Sequence, residues 1–384
     1  MRITVDQQSF ARALTAAART TAKRSLQPVL AGLLLRADGG HLEITSTDME
    51  MWGRYTINAK VETPGEVILP ADRVAELVRR LPTGEISLVV RDRAATIACG
   101  STECTIQGLV VEFPVIPEVT GTETSRVDRE TLRKMLKQVD FAVGSTEDHT
   151  NPASGLHLQL TPPGEDGPGG IILESTDTLR ICTRRGDADV NGEAIDAIIP
   201  ERAVGELARL GGDGDEDTLL VCVTDNHAMF ACGNRVLGTR LRAGTYPNLQ
   251  QILGQVKYPT RARTDRASFL EKCERALVIA RDNGGIAKVE VGLGLTVEAS
   301  ATGIGRISES QSADVTGPEV VIGLNLRFLI DGLRAMDSEE VILDLADPRT
   351  PVRLQPVGDE DYDYRVMPVI LNPTKADDYR VKEG

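Results

Sequence analysis

The chain repeats itself three times at a spacing of about 130 residues, and this constrains the fold more than any other feature. The first repeat carries Ser46-Thr47-Asp48, then VILPADRVAELVRRL (67–81), TIACG (96–100) and EFPVI (112–116). The second carries Ser175-Thr176-Asp177, then AIIPERAVGELARL (197–210), MFACG (229–233) and TYPNL (245–249). These four landmarks keep their order and recur 129 to 133 residues later. The third repeat is more degenerate. VVIGLNLRFLIDGLRAM (320–336) stands where the two Pro-containing segments stood, followed by VILDL (341–345), PVRLQPV (351–357) and YRVMPVIL (364–371). A period of this size is a repeated domain rather than a solenoid unit, and 384 residues suit two or three such domains.

Each repeat reads as helix, strands, helix, strands. DQQSFARALTAAARTTA (6–22) sets Phe10, Leu14 and Ala17 on one helical stripe. DRETLRKMLKQVDFAV (128–143) and DRASFLEKCERALVIA (265–280) open the next two repeats, and all three begin on Asp, a favoured cap. Between helices, HLEIT, ISLVV and KVEVGLGLTVEA alternate as strands do, with Gly- and Pro-rich loops at 162–170 and 211–217. The expected fold class is therefore α+β: three tandem repeats, each with two helices on an antiparallel sheet. The expected domains span 1–121, 122–254 and 255–384, the last ending in a polar tail at 372–384. Strand edges left open at the ends of such a chain favour head-to-tail association with another copy into a ring.

No stretch approaches the roughly 20 apolar residues of a membrane span, and MRITVDQQSF lacks the apolar core of a signal peptide. The expectation is a cytoplasmic protein with no membrane partner. The six cysteines form no C-x-x-C pair, and four lie in apolar runs, as buried reduced thiols do. His41, His149, His157 and His227 share no metal-ligand spacing. Asp213, Asp215 and Asp217 mimic the start of a calcium loop, but Thr218 and Thr224 stand where Gly and Glu are required. The glycines at 292, 294, 303 and 305 do not match a dinucleotide fingerprint, and no phosphate-binding loop is present. Asp48 and Asp177 recur at equivalent positions, which favours a turn role over acid–base chemistry. No metal, cofactor or catalytic residue is expected. An enzyme with its site between repeats would need convergent titratable groups, and the chain offers no such motif.

The net charge of −14 argues at first against a nucleic-acid partner. The distribution argues otherwise. Arg12, Arg19 and Lys23 share one helical face, with Arg24 next. Arg73 and Arg80, Arg202 and Arg209, and Arg327 and Arg334 are each seven apart on the second, fourth and sixth expected helices, with Arg79 adjacent on the second; Arg133, Lys134 and Lys137 fall on the third and Lys272, Arg275 and Arg281 on the fifth. On any one helix this is an ordinary solvated face. Its recurrence supports a common basic lining that neutralises phosphates without reading sequence, with acidic surfaces elsewhere. Arg19, Lys23, Arg24, Arg73, Arg80, Arg133, Lys137, Arg202 and Arg209 are the expected contacts to double-stranded DNA.

The M-x-x-T-V start, KRSLQPVLAGLLL (23–35), STDMEM (46–51), ILPADR (68–73), EFP (112–114), ESTDTLRIC (174–182), IIPER (198–202), TYPNL and YRVMPVIL together resemble the bacterial sliding clamp, the beta subunit of the replicative DNA polymerase. The resemblance covers roughly residues 1–371. It implies a non-catalytic, ring-shaped homodimer that slides on duplex DNA as a processivity factor. It also implies that polymerase subunits, the clamp loader and repair factors bind through short linear motifs. The implied dimer interface holds Glu103 and Thr105 from one copy and Leu277, Val278 and Ile279 from the other. The implied peptide pocket holds Ala153, Thr176, Leu179, Ile181, Pro247, Ile252, Phe328, Pro351, Met367, Pro368 and Val369. Arg24 falls in the loop that contacts DNA in the family. Departures are local. The family's usual Thr-Asp-Gly-His-Arg-Leu is Thr176-Asp177-Thr178-Leu179-Arg180-Ile181 here, Arg365 stands where an aliphatic residue is usual, and Ile370 stands in place of a cation. These changes suggest a divergent clamp, a second copy with altered peptide or inhibitor affinity. Glu103 and Thr105 in the interface strand also leave room for a monomeric clamp-like module.

Overall fold

The computed structural model describes residues 1–117, 124–144, 153–164, 169–211, 216–254 and 256–371. They form two compact units. The first holds Met1–Arg133, Pro162–Gly169 and Ala188–Arg242; the second holds Lys134–Thr161, Gly170–Asp187 and the chain from Ala243 on.

The three repeats begin alike. Helices α1 (Gln7–Arg19) and α2 (Ala71–Arg80) belong to the first repeat, α3 (Arg129–Val139) and α4 (Glu201–Leu207) to the second, and the short α5 (Leu249–Leu253) closes it. Helices α6 (Arg266–Ala280) and α7 (Leu326–Ala335) belong to the third. The expected Asp caps form at all three opening helices. Asp6 accepts from the Ser9 amide (2.8 Å), Asp128 from Thr131 (2.7 Å) and Asp265 from Ser268 (2.7 Å). Hydrogen bonds to the ionised form, first from the Ser9 amide at Asp6 and first from the Thr131 side chain, then its amide, at Asp128, hold both carboxyls below their ordinary range. One feature differs from expectation. A short strand precedes each opening helix: Arg2–Asp6, Ser125–Asp128 and Thr260–Asp265. Four to six alternating residues against a helix signal are too few to register as a strand by pattern alone.

In the first unit one sheet runs Lys60–Thr63, Arg2–Asp6, Glu85–Arg91, Ala94–Cys99, Thr102–Gln107. A second runs Ser125–Asp128, Thr218–Val223, His227–Cys232, Arg235–Arg240, Met51–Asn58, His41–Thr47, Gly32–Asp38, Gly65–Pro70. This second sheet is continuous across two repeats, because Met51–Asn58 of the first pairs antiparallel with Arg235–Arg240 of the second. The core beneath packs Phe10, Leu14 and Ala17 of α1 and Val74 and Val78 of α2 against Leu33, Leu35, Leu42 and Ile44.

The second unit repeats the arrangement. Gly155–Thr161, Gly170–Thr176 and Arg180–Asp187 are followed in the sheet by Tyr362–Val366, Val352–Pro356, Glu340–Leu345, Thr260–Asp265 and Asp314–Thr316. Here Arg180–Asp187 of the second repeat pairs with Tyr362–Val366 of the third. A further sheet runs Gly305–Gln311, Leu295–Ala301, Ile286–Val291, Val320–Asn325, with α6 lying across its first two strands.

Cys99, Cys182, Cys222, Cys232 and Cys273 are buried and reduced; Cys104 is half-buried. Burial pushes the Cys182 thiol up to about 12. Among the described residues no helix is long and apolar enough to cross a membrane, and no group of three or more His, Cys, Asp or Glu could hold a metal.

Where the first two repeats join, the buried Trp52 indole lies against Gly238, with which it is in register. A Cβ on Gly238 would run into that ring. Gly238→Ala is expected to destabilise the protein by about 2 kcal/mol through overpacking, measured by urea unfolding. An unchanged midpoint would show that the indole yields without cost.

Candidate functional site

The Ser-Thr-Asp landmarks build the same turn twice. Thr47 Oγ1 accepts from Met49 N (2.9 Å), and Asp48 Oδ1 accepts from Glu50 N (3.0 Å) and Met51 N (2.7 Å). Thr176 Oγ1 accepts from Thr178 N (3.0 Å), and Asp177 Oδ1 accepts from Leu179 N and Arg180 N, both at 3.0 Å. The two aspartates are turn residues, as expected. Both turns hold a non-glycine residue in the left-handed region, Met49 at φ 80° and Thr178 at φ 77°.

The second turn carries one wall of the expected pocket. Leu179 is half exposed, and its carbonyl takes the amide of Met367 (2.8 Å). Val369 is anchored by its own amide to Gly323 O (2.8 Å), an approach that a side chain on Gly323 would block. Leu179, Met367, Val369 and Ile370 thus stay exposed as apolar side chains on fixed backbone. Thr176 is in register with Ile181, and Gly144 N bonds Thr176 O beside Ala153. Pro351 precedes the strand whose Val352 is in register with Val366, and Tyr364 Oη donates to Phe328 O (2.9 Å). Pro247 follows Tyr246, whose ring stacks on His157 at 4.4 Å. Expected positions from both repeats are therefore held by one connected framework. The Ile252 side chain lies outside the described residues.

Arg180 ties this framework together. It bonds Asp177 (2.8 Å), Asp331 on α7 (2.7 Å) and the Phe141 carbonyl, and its guanidinium sits over the Phe328 ring at 4.5 Å. The motifs place Arg180 beside the pocket, but only the structure shows that it links α7 to the turn. The buried His157–Glu174 pair (3.0 Å), whose imidazole the Tyr246 ring stacks on, gave no signal in the sequence.

The nine expected DNA contacts divide. Arg19 pairs with Glu206 (2.7 Å), as does Arg209 (3.3 Å). Arg202 pairs with Asp48 in the first turn, Arg80 with Glu76 (2.9 Å) and Arg133 with Glu130. Lys23, Arg24, Arg73 and Lys137 are exposed and have no ion pair among the described residues.

Of the expected interface residues, Glu103 and Thr105 point outward from Thr102–Gln107, the last strand of its sheet. Val278 is exposed on α6, with Leu277 and Ile279 half-buried beside it. The helix packs on Gly305–Gln311, likewise the last strand of its sheet. Sequence reasoning missed that strand, although GRISESQ alternates as an edge strand does.

An open cleft of about 700 Å³ in the first unit is lined by Arg12 and Arg235 and by Asp6 and Glu216. Its charges balance, and no nucleophile–base pair converges there.

Three family models match in order. The N-terminal domain of the DNA polymerase III beta subunit covers residues 1–117, its central domain 126–248 and its C-terminal domain 256–370. The chain belongs to the DNA polymerase III beta subunit family. This is a family of non-catalytic sliding clamps. A beta sliding clamp of Synechococcus elongatus is 27% identical over 383 residues, covering 97% of this chain and all of the relative. The beta subunit of Thermotoga maritima superposes with a TM-score of 0.89 at 23% identity, and a sliding clamp of Bartonella birtlesii bound to griselimycin with 0.88 at 24%. Each covers 97% of this chain and all of that one.

In the second Ser-Thr-Asp turn the left-handed position is held by Thr178, where the resemblance implies a glycine. A β-branched residue at φ 77° is strained. Thr178→Gly is expected to raise stability by about 1 kcal/mol, seen as a higher urea midpoint. A lower midpoint would show that the threonine methyl or hydroxyl repays the strain.

Proposed function

We propose that two copies of this chain close into a ring around duplex DNA, acting as a processivity factor. In this reading the ring tethers polymerases, and it engages the clamp loader and repair factors through the pocket of the second unit. Domains at 1–121, 122–254 and 255–384 and a cytoplasmic location belong to the same reading.

The observation that carries it is the pattern of strand junctions. Met51–Asn58 and Arg180–Asp187 follow equivalent turns in the first two repeats, and each pairs with a strand of the repeat after it. The third strand of that series is Gly305–Gln311, which ends its sheet. The strands that receive them are Arg235–Arg240 and Tyr362–Val366; the corresponding strand of the first repeat is Thr102–Gln107, which also ends its sheet. A second copy completes both junctions, and two head-to-tail contacts make a closed ring. A carboxylate series points the same way. Glu206 on α4 and Asp331 on α7 occupy equivalent positions, and each binds an arginine of the preceding repeat. Glu76 on α2 holds the same position and, among the described residues, pairs within its own helix with Arg80.

Lys23, Arg24, Arg73 and Lys137, without acidic partners among the described residues, are the proposed phosphate contacts. Sequence-independent contacts of this kind let a ring slide.

Loading by a clamp loader onto nicked circular DNA, followed by linearisation, tests the reading. The protein is expected to stay with the intact circle and to leave once it is cut. Retention on the linear form, or no retention on the circle together with a monomeric mass, would contradict encirclement.

A further inference from the structure

The sheet face that forms the pocket also carries charge. Directly paired residues on neighbouring strands share a face. Thr176 pairs with Ile181, Ile181 with Arg365, Arg365 with Arg353, Arg353 with Asp344 and Asp344 with Arg261. Two pocket residues are thus continuous with a row of charged ones. This face is the one turned away from α7, which packs on Tyr364, the neighbour of Arg365 in the strand. Duplex DNA running along the basic helices is therefore not its ligand.

The charges do not balance. Asp363 receives Arg365 through two bonds, at 3.1 and 2.9 Å, and also Arg353 at 3.3 Å. Asp344 receives Arg261 at 2.7 and 3.1 Å, with Arg353 at 3.9 Å. Arg261, Arg353 and Arg365 thus share two carboxylates. Arg365 is 16% exposed and Asp344 2%. A largely buried guanidinium that shares its counter-charge is stabilised by any further carboxylate that reaches it, and its planar fork suits that group. Tyr258 stands beside Arg365 and Asp363, and burial raises its phenol above the ordinary range, so it remains a neutral donor at the same place.

Resting on the pocket reading above, we propose that Arg365 makes this pocket selective for partner segments that set a carboxylate beside their apolar anchor. The apolar anchor meets Leu179 and Met367, and the carboxylate meets Arg365, which is in register with Ile181. A chain terminus and an acidic side chain offer the same chemistry.

The test is displacement of griselimycin by short peptides from the full-length protein. Acetyl-Gly-Ser-Gly-Leu-Leu is compared as free acid and as carboxamide, and the carboxamide extended by Glu is compared with the one extended by Gln. At least one charged peptide is expected to bind about five-fold more tightly than its neutral twin. Preference for the free acid identifies a chain terminus, and preference for the Glu form an acidic side chain. Arg365→Leu should abolish the preference while griselimycin still binds, and Arg365→Lys, which keeps the charge without the planar fork, should retain only part of it. The leucine variant is expected to fold, because Asp363 keeps Arg353 and an aliphatic residue is the family's usual choice. Equal affinities, no displacement by either charged peptide, or a preference that survives Arg365→Leu would overturn the proposal. Failure of griselimycin to bind the unaltered protein would overturn the pocket reading, and this inference with it.

Discussion

Main-chain pairing between the edge strands of successive repeats is the constraint on which the rest depends. An unpaired strand edge is a row of donors and acceptors seeking partners. Twice within the chain that demand is met by the next repeat, at Met51–Asn58 and at Arg180–Asp187. Among the described residues Gly305–Gln311, the third strand of the series, ends its sheet. In the proposed reading, association of two copies completes a rule already followed internally.

The side chains at the internal junctions follow from that pairing. Close approach of two strands requires Gly238 under Trp52, and close approach of the C-terminal segment requires Gly323 under Val369. Arginines lock each junction, Arg19 and Arg202 at the first and Arg180 at the second. In the proposed reading the pocket arises because the second junction leaves Leu179, Met367 and Val369 exposed, with the Met367 amide bonded to Leu179 O and the Val369 amide to Gly323 O. An adaptable apolar surface on a rigid frame suits short peptide segments.

Much of this was legible in the sequence, because repetition reports on local chemistry. Asp6, Asp128 and Asp265 cap helices, and Asp48 and Asp177 close turns, as their spacing implies. The ion pairs were not legible. Periodicity placed Arg19, Arg202 and Arg209 on helix faces, but it is blind to the carboxylates of Glu206 and Asp48, more than 150 residues away from Arg19 and Arg202 respectively. The short strands before the opening helices escaped for want of length. The Arg365 network escaped because its five members lie on four strands spread over 105 residues. Where the resemblance marked an unusual residue, at Thr178 and Arg365, the structure gives each a physical consequence: backbone strain in one case, shared counter-charge in the other.

Amide hydrogen exchange in Thr102–Gln107 and Gly305–Gln311, followed as the protein is diluted, tests the central claim most directly. Among the described residues both strands end their sheets. The account expects their outward amides to be protected when copies associate, and to exchange rapidly and together on dilution. Exchange in either strand that is fast at every concentration would contradict closure through these edges.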